Sequence, residues 1–291
     1  MRHVIYILLP VHNRIRLTQR FMERLLEQSF SDYRLLLLDD ASIDGTAEMV
    51  KSALNQTIII RNTGQNHWWW SGAMEYGYQW LKKRENEILN DIVLLINDDV
   101  VFEKDYLFKG YHLIKDSDKT LIQSACYDLE TNQPLDMGGY VDWQKLKLYQ
   151  PVHHIESVCR INCLSGRGLW IKARDFVELG GFYPERLPHY QADFEFSIRA
   201  HYRGFSLLCS DEIKVWTHQE PSGFRGFRGK SYFERLRSYF SHKNYSNPLI
   251  RIRFIKLACP ERNLRIRQYY YIVKDSLSEF YKTFFTRVNC R

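Results

Sequence analysis

Residues 92–100 read IVLLINDDV, five aliphatic residues followed by an amide and two carboxylates. A second stretch of the same design, RLLLLDDASIDGT, spans residues 34–46. A short, uninterrupted aliphatic run is typical of a strand that is buried on both faces, as in a parallel sheet. In open α/β sheets, ligands bind outside the carboxyl ends of such strands. The two stretches therefore predict an α/β fold with a ligand site lined by the Asp pairs at 39–40 and 98–99.

Helices are predicted between these strands, because apolar residues recur at helical spacing, as at Leu17, Phe21 and Leu25. Strands that alternate with helices predict a mostly parallel sheet with right-handed crossovers and helices on both faces. Up to residue 115 the predicted strands are 4–9, 33–38, 57–60 and 92–96, and the predicted helices are 15–28, 45–54 and 72–84. After residue 119 the predicted pattern is mixed, with strands at 119–126, 160–164, 168–171, 205–209 and 213–216, a hairpin around 137–140, and helices at 191–203, 231–243 and 262–285.

Charge is unevenly distributed over the 291 residues, which carry a formal net charge of +7. Residues 221–291 contain 16 Lys and Arg against 4 Asp and Glu, whereas residues 1–220 contain 25 against 30. A stretch rich in Gly and Arg near residue 220 separates the two parts and is typical of a loop. The chain is therefore predicted to consist of two modules, 1–220 and 221–291, with different partners.

The location of the protein is predicted from its apolar segments and its cysteines. No stretch approaches the roughly 18 to 20 apolar residues of a membrane span. The apolar run at the N-terminus is short and is followed by polar residues, so it is predicted to be a strand rather than a signal peptide. The six cysteines form no Cys-x-x-Cys pair, which favours reduced thiols over disulfides or a zinc site. We therefore expect a cytoplasmic protein.

The polar ends of the predicted strands are candidates for ligand binding. Carboxylates after a strand suit a hard divalent cation, Mg²⁺ or Mn²⁺, that is shared with a phosphate group. The alternative for 94–100 is a strand end followed by an Asn-Asp turn. For 35–46 the segment alone slightly favours an ordinary strand–turn–helix connection, in which Asp44 caps the helix. His218 ends an apolar strand, where a histidine is usually solvated, but the sheet edge makes it a metal or phosphate candidate.

Three consecutive Trp residues at 68–70 form the most unusual segment of the chain. Neither a strand nor a helix can direct all three toward one core, so at least one is expected to line a cleft. The small residues Ser71, Gly72 and Ala73 follow and would let a helix N-terminus approach an anion. The alternative, an aromatic corner of the core, is equally consistent with any single Trp.

The segment HYQADFEFSIRA places Asp193 near the start of a predicted helix. Phe194, Ile198 and Tyr202 form an apolar stripe, so Asp193 and Glu195 are expected to point elsewhere. An ionised Asp that faces a cleft can act as a general base. On this segment alone, a role as helix cap or dipole partner is favoured over that of base.

Seven ordered segments resemble the nucleotide-sugar glycosyltransferases of family 2, which have the GT-A fold. They are PVHNR at 10–14, LLDDASIDGT at 37–46, NTG and WWSGAMEYG within 62–77, LLINDDV at 94–100, GLWIKARDFVELGGF at 168–182, ADFEFSIRA at 192–200 and VWTH at 215–218. The Trp-rich segment is similar to the branch that includes bacterial rhamnosyl and other cell-surface glycan transferases. The resemblance covers about 1–220 and implies a catalytic domain with a nucleotide-binding half, 1–100, and an acceptor and metal half, 101–220.

The resemblance implies a role for each matching residue. It implies that Asp39 hydrogen-bonds the nucleotide base and that Asp193 is the catalytic base. The other residues implied to contact the nucleotide or donor sugar are Pro10, His12, Asn13, Arg14, Asp40, Asn66, Trp70, Gly72, Asn97 and Asp98. The residues implied to hold Mg²⁺ or Mn²⁺ are Asp99 and His218, and those implied on the acceptor side are Trp170 and Glu195.

The resemblance also implies a reaction, an inverting and metal-assisted transfer of a hexosyl or rhamnosyl group. The donor would be a nucleotide sugar, UDP- or dTDP-linked, and the acceptor a hydroxyl of a glycan or lipid-linked glycan. The sequence departs from the family pattern at His12, Glu75, Asn97 and Ala192, where Tyr, Asn, Asp and an acidic residue are usual. Two alternatives stay open: a module that binds a nucleotide sugar without turnover, and a nucleotidyltransferase. The latter usually needs a Gly-rich phosphate loop, which PVHNRIRL lacks.

The segment 221–291 is predicted to be a basic, aromatic-rich helical extension. Its 15 aromatic residues, mixed with Arg and Lys, suit docking to an anionic bilayer such as the inner face of the plasma membrane. The alternative is a helical lid or a homodimer contact with a solvated basic face. Nucleic acid ranks well below both, because the aromatic residues match no recognised nucleic-acid module.

Overall fold

A computed structural model describes residues 3–64, 66–145, 147–149, 161–218, 232–242, 244 and 246–285. The strands within these residues agree with the predicted positions in the first half of the chain to within two residues at each end. They are β1 Ile5–Val11, β2 Tyr33–Asp39, β3 Ile58–Arg61, β4 Ile92–Leu95, β5 Thr120–Asp128, β6 Pro134–Asp136, β7 Tyr140–Asp142, β8 Lys147–Tyr149, β9 Leu169–Lys172 and β10 Ser206–Thr217.

The helices cover both faces of the central sheet. Those predicted at 15–28, 45–54, 72–84, 191–203 and 262–285 are present, with ends that differ by up to three residues. The helices of the described residues are α1 Ile15–Leu26, α2 Thr46–Ala53, α3 Trp69–Lys82, α4 Glu85–Ile88, α5 Tyr106–Ile114, α6 Ala173–Leu179, α7 Ala192–Tyr202, α8 Tyr232–Tyr239, α9 Pro248–Ala258 and α10 Arg262–Phe285.

The central sheet has the order β10-β5-β9-β4-β1-β2-β3, with β6 paired to β5. Neighbouring strands from β4 to β3 are parallel, and so are β5 and β10. β9 runs antiparallel to both β4 and β5. A separate ribbon pairs β7 with β8. The mostly parallel sheet with helices confirms the predicted fold class.

The aliphatic runs become strands because both faces of the sheet are covered. Along β1, the side chains of Ile7 and Leu9 pack into one core with Phe21 of α1. Leu8 points to the other face and packs into a second core with Met74 of α3. Successive side chains of a strand alternate between faces, so two apolar faces require an uninterrupted apolar run.

Three predictions about the second half of the chain were wrong. The described residues of the strand predicted at 160–164 form only an isolated bridge, between Cys163 and Gly139. No hairpin forms around residues 137–140, because β6 pairs with β5 whereas β7 pairs with β8. The strands predicted at 205–209 and 213–216 are one strand, β10, whose register shifts between Ser210 and Lys214. A β-bulge keeps such a strand continuous where a purely local pattern suggests a break.

The predicted boundary near residue 220 lies outside the described residues. Beyond it, Ile250 and Phe254 of α9 and Ile272 of α10 pack into the same core as the face of the sheet that carries α3. The described part of the extension thus shares a core with the rest of the chain, and the two-module division stays a prediction. None of the described helices combines the length and the apolar character that crossing a bilayer requires.

Candidate active site

A cleft of about 410 Å³ opens at the carboxyl ends of β1, β2 and β4. The carboxyl ends of these parallel strands meet at one edge of the sheet, so loops that are distant in sequence can form one cleft. Seven residues predicted from the sequence line it, namely Pro10, His12, Arg14, Asp40, Trp70, Asn97 and Asp99. Its remaining lining, which the sequence analysis did not assign to a site, is Val11, His67, Trp69, Ala73 and His189.

Asp40 fixes the start of α3 at the rim of the cleft. Its carboxylate accepts hydrogen bonds from the backbone N–H groups of Trp68, at 2.9 Å, and Trp69, at 3.1 Å, and from the Asn62 side chain, at 2.7 Å. A carboxylate in front of a helix satisfies free amides and is stabilised by the helix dipole. Trp69 has a left-handed φ of 55°, a strained conformation that these hydrogen bonds hold. Trp69 and Trp70 line the cleft, as the sequence predicts for at least one Trp.

Both carboxylate oxygens of Asp39 accept hydrogen bonds from other residues of the chain. It is fully buried, and its two oxygens accept hydrogen bonds from the Arg61 guanidinium, at 2.7 Å, and from the Ser42 backbone N–H, at 2.9 Å. Because Arg61 belongs to β3, the ion pair ties β3 to the end of β2. Each Asp39 oxygen keeps a second lone pair, but the side chain is shielded from solvent, and the contact predicted between Asp39 and a nucleotide base stays a prediction.

Three other residues predicted to contact the donor hold loops in place beside the cleft. The Asn13 side chain accepts a hydrogen bond from the Ile43 N–H at 2.8 Å, which joins the loops that follow β1 and β2. The Asn66 carbonyl accepts one from the Asn62 side chain at 2.8 Å. Gly72 lies in the first turn of α3, where a Cβ atom would lie 3.1 Å from that of Trp68.

The acidic motif, Asn97-Asp98-Asp99, follows β4 and contains one buried carboxylate and one that reaches the cleft. The Asp98 side chain is shielded from solvent, pairs with Arg14 at 2.8 Å and accepts a hydrogen bond from the Thr18 hydroxyl at 2.9 Å. Burial raises the pKa of Asp98 to about 6, although the Arg14 charge opposes the shift. Asp99 lines the cleft and also contacts Arg14, at 3.1 Å.

A short chain of contacts connects Asp193 to the acidic motif. The Gly166 N–H donates to the Asp193 carboxylate at 3.0 Å. Gly166 lies so close to the Trp70 ring that a Cβ atom at this glycine would be 2.5 Å from it. The ring N–H of Trp70 donates to the Asn97 side chain at 2.9 Å. The structure thus links Asp193 to the acidic motif through Gly166 and one edge of the Trp70 indole ring.

Asp193 is partly buried, and it is not among the residues that line the cleft. It lies in the first turn of α7, and its second oxygen accepts a hydrogen bond from the Phe194 N–H at 2.9 Å. Burial raises the pKa of Asp193 above the ordinary value, against the effect of the two backbone hydrogen bonds. A raised pKa means that the ionised carboxylate accepts a proton more readily, which suits a general base.

Arg167 is a basic residue beside Gly166 to which the sequence analysis gave no role, and the residues that line the cleft do not include it. It follows Gly166 in the turn before β9 and is partly buried. Burial alone would lower the pKa of Arg167, but the acidic groups around it, including Asp99 and Asp193, raise the pKa overall. An Arg between two glycines, in the Gly-Arg-Gly of this turn, is a signal that could have drawn attention to it.

His218 lies next to Asp99 through the end of β10. The neighbouring Thr217 hydroxyl donates to the Asp99 backbone oxygen at 2.9 Å. The imidazole itself is partly exposed, and its Nδ1 lies 3.5 Å from a Glu130 carboxylate oxygen. The two residues predicted to hold a metal are therefore brought to the same region, while their role as ligands stays a prediction.

The two residues predicted on the acceptor side are buried, which corrects that assignment. Trp170 is 0% exposed in β9 and packs edge-on against Tyr106. Glu195 is 2% exposed and forms an ion pair with Arg199, at 2.9 Å. The sequence analysis expected Phe194 to mark the buried face of α7, with Glu195 pointing away from it. The buried aromatic residue of this helix is Phe196 instead, and Glu195 faces inward.

Two groups of side chains could hold a divalent cation: the acidic motif, through Asp99, and a cluster of two histidines and Asp40. The Oδ1 atom of Asp99 is shielded and has no hydrogen-bond partner among the described residues. Elsewhere in the cleft, ligand atoms of His12, Asp40 and His67 lie within 4.8 Å of one another. His12 Nδ1 donates to the Asp40 carbonyl oxygen at 2.6 Å, so the lone pair of this ring is on Nε2. His67 directly precedes the Trp run, a position that could have marked it as part of the site.

The mostly parallel sheet, with a cleft and an acidic motif at its carboxyl edge, is the architecture of GT-A glycosyltransferases. GalNAc-T7, solved with UDP, GalNAc and Mn²⁺, superposes with a TM-score of 0.60 at 14% identity over 97% of this chain. This chain covers 58% of the GalNAc-T7 chain. TarS from S. aureus, in complex with UDP-GlcNAc, gives 0.56 at 14% identity and covers 99% of this chain and 74% of its own.

A third similar structure is the mannosyltransferase PcManGT from Pyrobaculum calidifontis, in complex with GDP-Man and Mn²⁺. Its TM-score is 0.53 at 12% identity, and the match spans 97% of this chain and 81% of the PcManGT chain. Identities this low establish the fold alone. A search of curated proteins returns no match.

The chain belongs to glycosyl transferase family 2. The model of this family matches residues 6–169, which is more than half of the chain. The matched range begins in β1 and ends in β9, so it includes the acidic motif and the Trp run. The family resemblance of the sequence is confirmed.

Proposed function

We propose that the protein transfers a hexosyl or rhamnosyl group from a UDP- or dTDP-sugar to a hydroxyl of a glycan or lipid-linked glycan, with inversion. The observation that carries the proposal is the chain of contacts from Asp193 through Gly166 and Trp70 to Asn97. It supports a base that is linked by direct contacts to the acidic motif, where a diphosphate would bind. Fold relatives with bound UDP, UDP-GlcNAc and GDP-Man support a nucleotide-sugar donor.

In this proposal the acceptor hydroxyl attacks the anomeric carbon while Asp193 takes its proton. The bond between the anomeric carbon and the diphosphate oxygen breaks, and the nucleoside diphosphate leaves with the electron pair. Holding both substrates in line supplies much of the acceleration. A divalent cation, held by Asp99 with His218, would neutralise charge that grows on the leaving diphosphate. The positive charge of Arg167 interacts with Cys126 and Asp136 and, more weakly, with Asp99 and Asp193.

The donor class is tested by thermal stabilisation of the full chain with UDP-, dTDP- and GDP-sugars. A ligand at about 100 times its dissociation constant adds about 2.7 kcal/mol to the free energy of unfolding, so the preferred donor is expected to raise the melting temperature by several degrees. The free sugars serve as controls and are expected to have no effect.

Turnover is then measured as release of nucleoside diphosphate with the preferred donor and a panel of glycan and lipid-linked acceptors. Acceptor-dependent release is expected. Stabilisation by a donor without release for any acceptor would favour a binding module, whereas release of inorganic pyrophosphate from a nucleoside triphosphate and a sugar phosphate would favour a nucleotidyltransferase.

A specific feature of α10 supports docking of the extension to an anionic membrane. The apolar side chains of Ile266, Tyr270, Val273, Leu277 and Tyr281 recur at helical spacing, and each is more than half exposed. This set is the α10 stripe. Its neighbours on the helix surface include the exposed basic residues Arg262, Arg267 and Lys274. An apolar stripe flanked by Arg and Lys matches the interface of a bilayer with anionic head groups.

Membrane docking predicts co-sedimentation with phosphatidylglycerol vesicles and little with phosphatidylcholine vesicles. The double substitution Tyr270→Asp and Leu277→Asp is expected to lower the bound fraction at least about tenfold, because it puts two charges on the apolar face. Phe108→Asp, at a similarly exposed position of α5, is the matched control. If the double variant instead dissolves a dimer and leaves vesicle binding unchanged, the stripe is a contact between copies of the chain.

A further inference from the structure

The positively charged side chain of Arg14 contacts both carboxylates of the acidic motif. The Arg14 guanidinium spans both carboxylates, with Nη1 at 2.8 Å from Asp98 and Nη2 at 3.1 Å from Asp99. Arg14 also lines the cleft, and about a third of its side chain is exposed. The Nη2 contact with Asp99 is a hydrogen bond, whereas the Nη1 contact with Asp98 is an ion pair without hydrogen-bond geometry.

The two carboxylates differ in how firmly they are held. Asp98 is shielded and keeps the Thr18 hydroxyl at 2.9 Å as a second partner. The Thr18 N–H donates to the Arg14 carbonyl oxygen at 3.0 Å, and the hydroxyl oxygen, whose hydrogen is directed at Asp98, lies 3.1 Å from the same carbonyl oxygen. Asp98, Thr18 and the Arg14 backbone therefore form a closed set of contacts that does not involve Asp99.

Asp99 is the more accessible member of the pair, and each of the two carboxylates has a shielded Oδ1 atom without a hydrogen-bond partner among the described residues. Its side chain is 22% exposed, one oxygen contacts Arg14, and the other oxygen has no hydrogen-bond partner among the described residues. A shielded carboxylate oxygen without a partner is costly unless a ligand completes it. Arg14 thus occupies one of the two oxygens that a divalent cation would use at Asp99.

We propose that Arg14 is a gate for the cation of the acidic motif, competing with a divalent ion for Asp99 while it remains paired with Asp98. In the closed state Nη2 neutralises Asp99, and the ion is held weakly. In the open state the ion takes Asp99, Nη1 stays with Asp98, and the released N–H groups face the cleft, where a diphosphate can accept them. The inference rests on the proposed function for the identity of the diphosphate, but not for the competition itself.

The competition is tested with Mn²⁺ alone, without donor or acceptor, by titrating the full chain and measuring free Mn²⁺ by its paramagnetic resonance signal. A His67→Gln background removes the second cluster of candidate ligands at His12, Asp40 and His67. Arg14→Gln keeps a hydrogen-bond donor for Asp98 but removes the charge. It is expected to bind Mn²⁺ about tenfold more tightly, which corresponds to about 1.4 kcal/mol.

Two control variants and one salt control separate the gate from a general charge effect. Arg61→Gln removes a similar guanidinium, paired with Asp39, from the same edge of the sheet, and the Mn²⁺ affinity is expected to change less than twofold. The difference between Arg14→Gln and the parent should persist in 0.5 M salt, because salt screens distant charges more than direct contacts. Asp99→Asn should abolish the tight binding of the Arg14→Gln protein.

The inference is overturned if folded Arg14→Gln binds Mn²⁺ with the parent affinity or more weakly. If Arg14→Gln does not fold, the Mn²⁺ affinity of Arg14→Lys tests the inference instead. Lysine keeps the charge but cannot bridge two carboxylates, so about threefold tighter binding is expected, and unchanged affinity counts against the gate. Because no sugar is transferred in these titrations, the outcome is separate from the test of the proposed function.

Discussion

Replacing Asp193 with Asn is expected to lower turnover by at least about 100-fold while the donor binds almost as well as before. Loss of a general base typically costs a factor of about 10² to 10⁴ in rate. Asn has the shape of Asp and can still accept the hydrogen bond from the Gly166 N–H, so the turn that faces Trp70 is expected to stay in place. The measurements are the rate of nucleoside diphosphate release and the thermal shift with the preferred donor.

Asp175→Asn is the matched control for this substitution. Asp175 is also a buried carboxylate in the first turn of a helix, α6, and burial raises its pKa as well. It accepts a hydrogen bond from the Lys119 N–H at the start of β5, away from the cleft. Turnover of Asp175→Asn is expected to stay within about threefold of the parent. A similar loss in both variants, or a near-normal rate in Asp193→Asn, would refute the assignment of the base.

The pH dependence of turnover provides a second measurement on Asp193. The base works only when it is ionised, and burial raises its pKa above the ordinary value of about 3.9. Turnover should therefore fall on the acid side at a pH above this value. The residual rate of Asp193→Asn should lack that dependence. Asp98, whose pKa burial raises to about 6, also titrates on the acid side, so the pH profile of the parent has to be compared with that of Asp193→Asn.

Gly166→Ala is expected to lower turnover by up to about 100-fold with little change in donor affinity. A Cβ atom at this position would lie 2.5 Å from Cζ2 and 3.0 Å from Cη2 of Trp70. The ring cannot easily retreat, because its N–H is bonded to Asn97 and its edge packs against Phe182, with centroids 5.4 Å apart. The turn that positions Asp193 must then move, and a displacement of about 1 Å can cost about 10² in rate.

A smaller side chain at position 70 should relieve the clash with the added Cβ atom. This second substitution is an internal control for the prediction. Phe lacks the outer part of the indole ring, so Trp70→Phe should restore part of the rate lost in Gly166→Ala, although Trp70→Phe alone loses the bond to Asn97. Such non-additivity is the signature of direct contact. Gly64→Ala is the glycine control, because the atom nearest to its added Cβ would be 3.3 Å away, and its turnover should stay close to that of the parent. Additive losses in the double variant would show that the two residues act independently.

Much of the cleft was predictable, because its position follows from local pattern and sheet geometry. Aliphatic runs of the length of β1, β2 and β4 are recognisable without tertiary information, and the polar residues after them must emerge at the carboxyl edge. Pro10, His12, Asp40 and Asn97 were placed in this way, and each lines the cleft.

The sequence could not show which way individual polar side chains turn. Asp39 and Asp40 are adjacent, yet Asp39 pairs with Arg61 inside the sheet and Asp40 reaches the cleft. Glu195 was expected to point away from the core and is buried against Arg199. In each case the partner comes from packing, and a buried charge takes whichever partner the fold brings to it.

The sequence by itself determined the fold class, the family and the edge of the sheet that carries the site, because these depend on the order and length of apolar runs along the chain. Only the tertiary structure decided that Arg14 bridges Asp98 and Asp99, and that Gly166 joins Asp193 to the Trp70 ring. Those contacts join residues that are 27 to 96 positions apart. Side-chain direction and distance at such separations are set by how helices and strands pack, which no local pattern encodes.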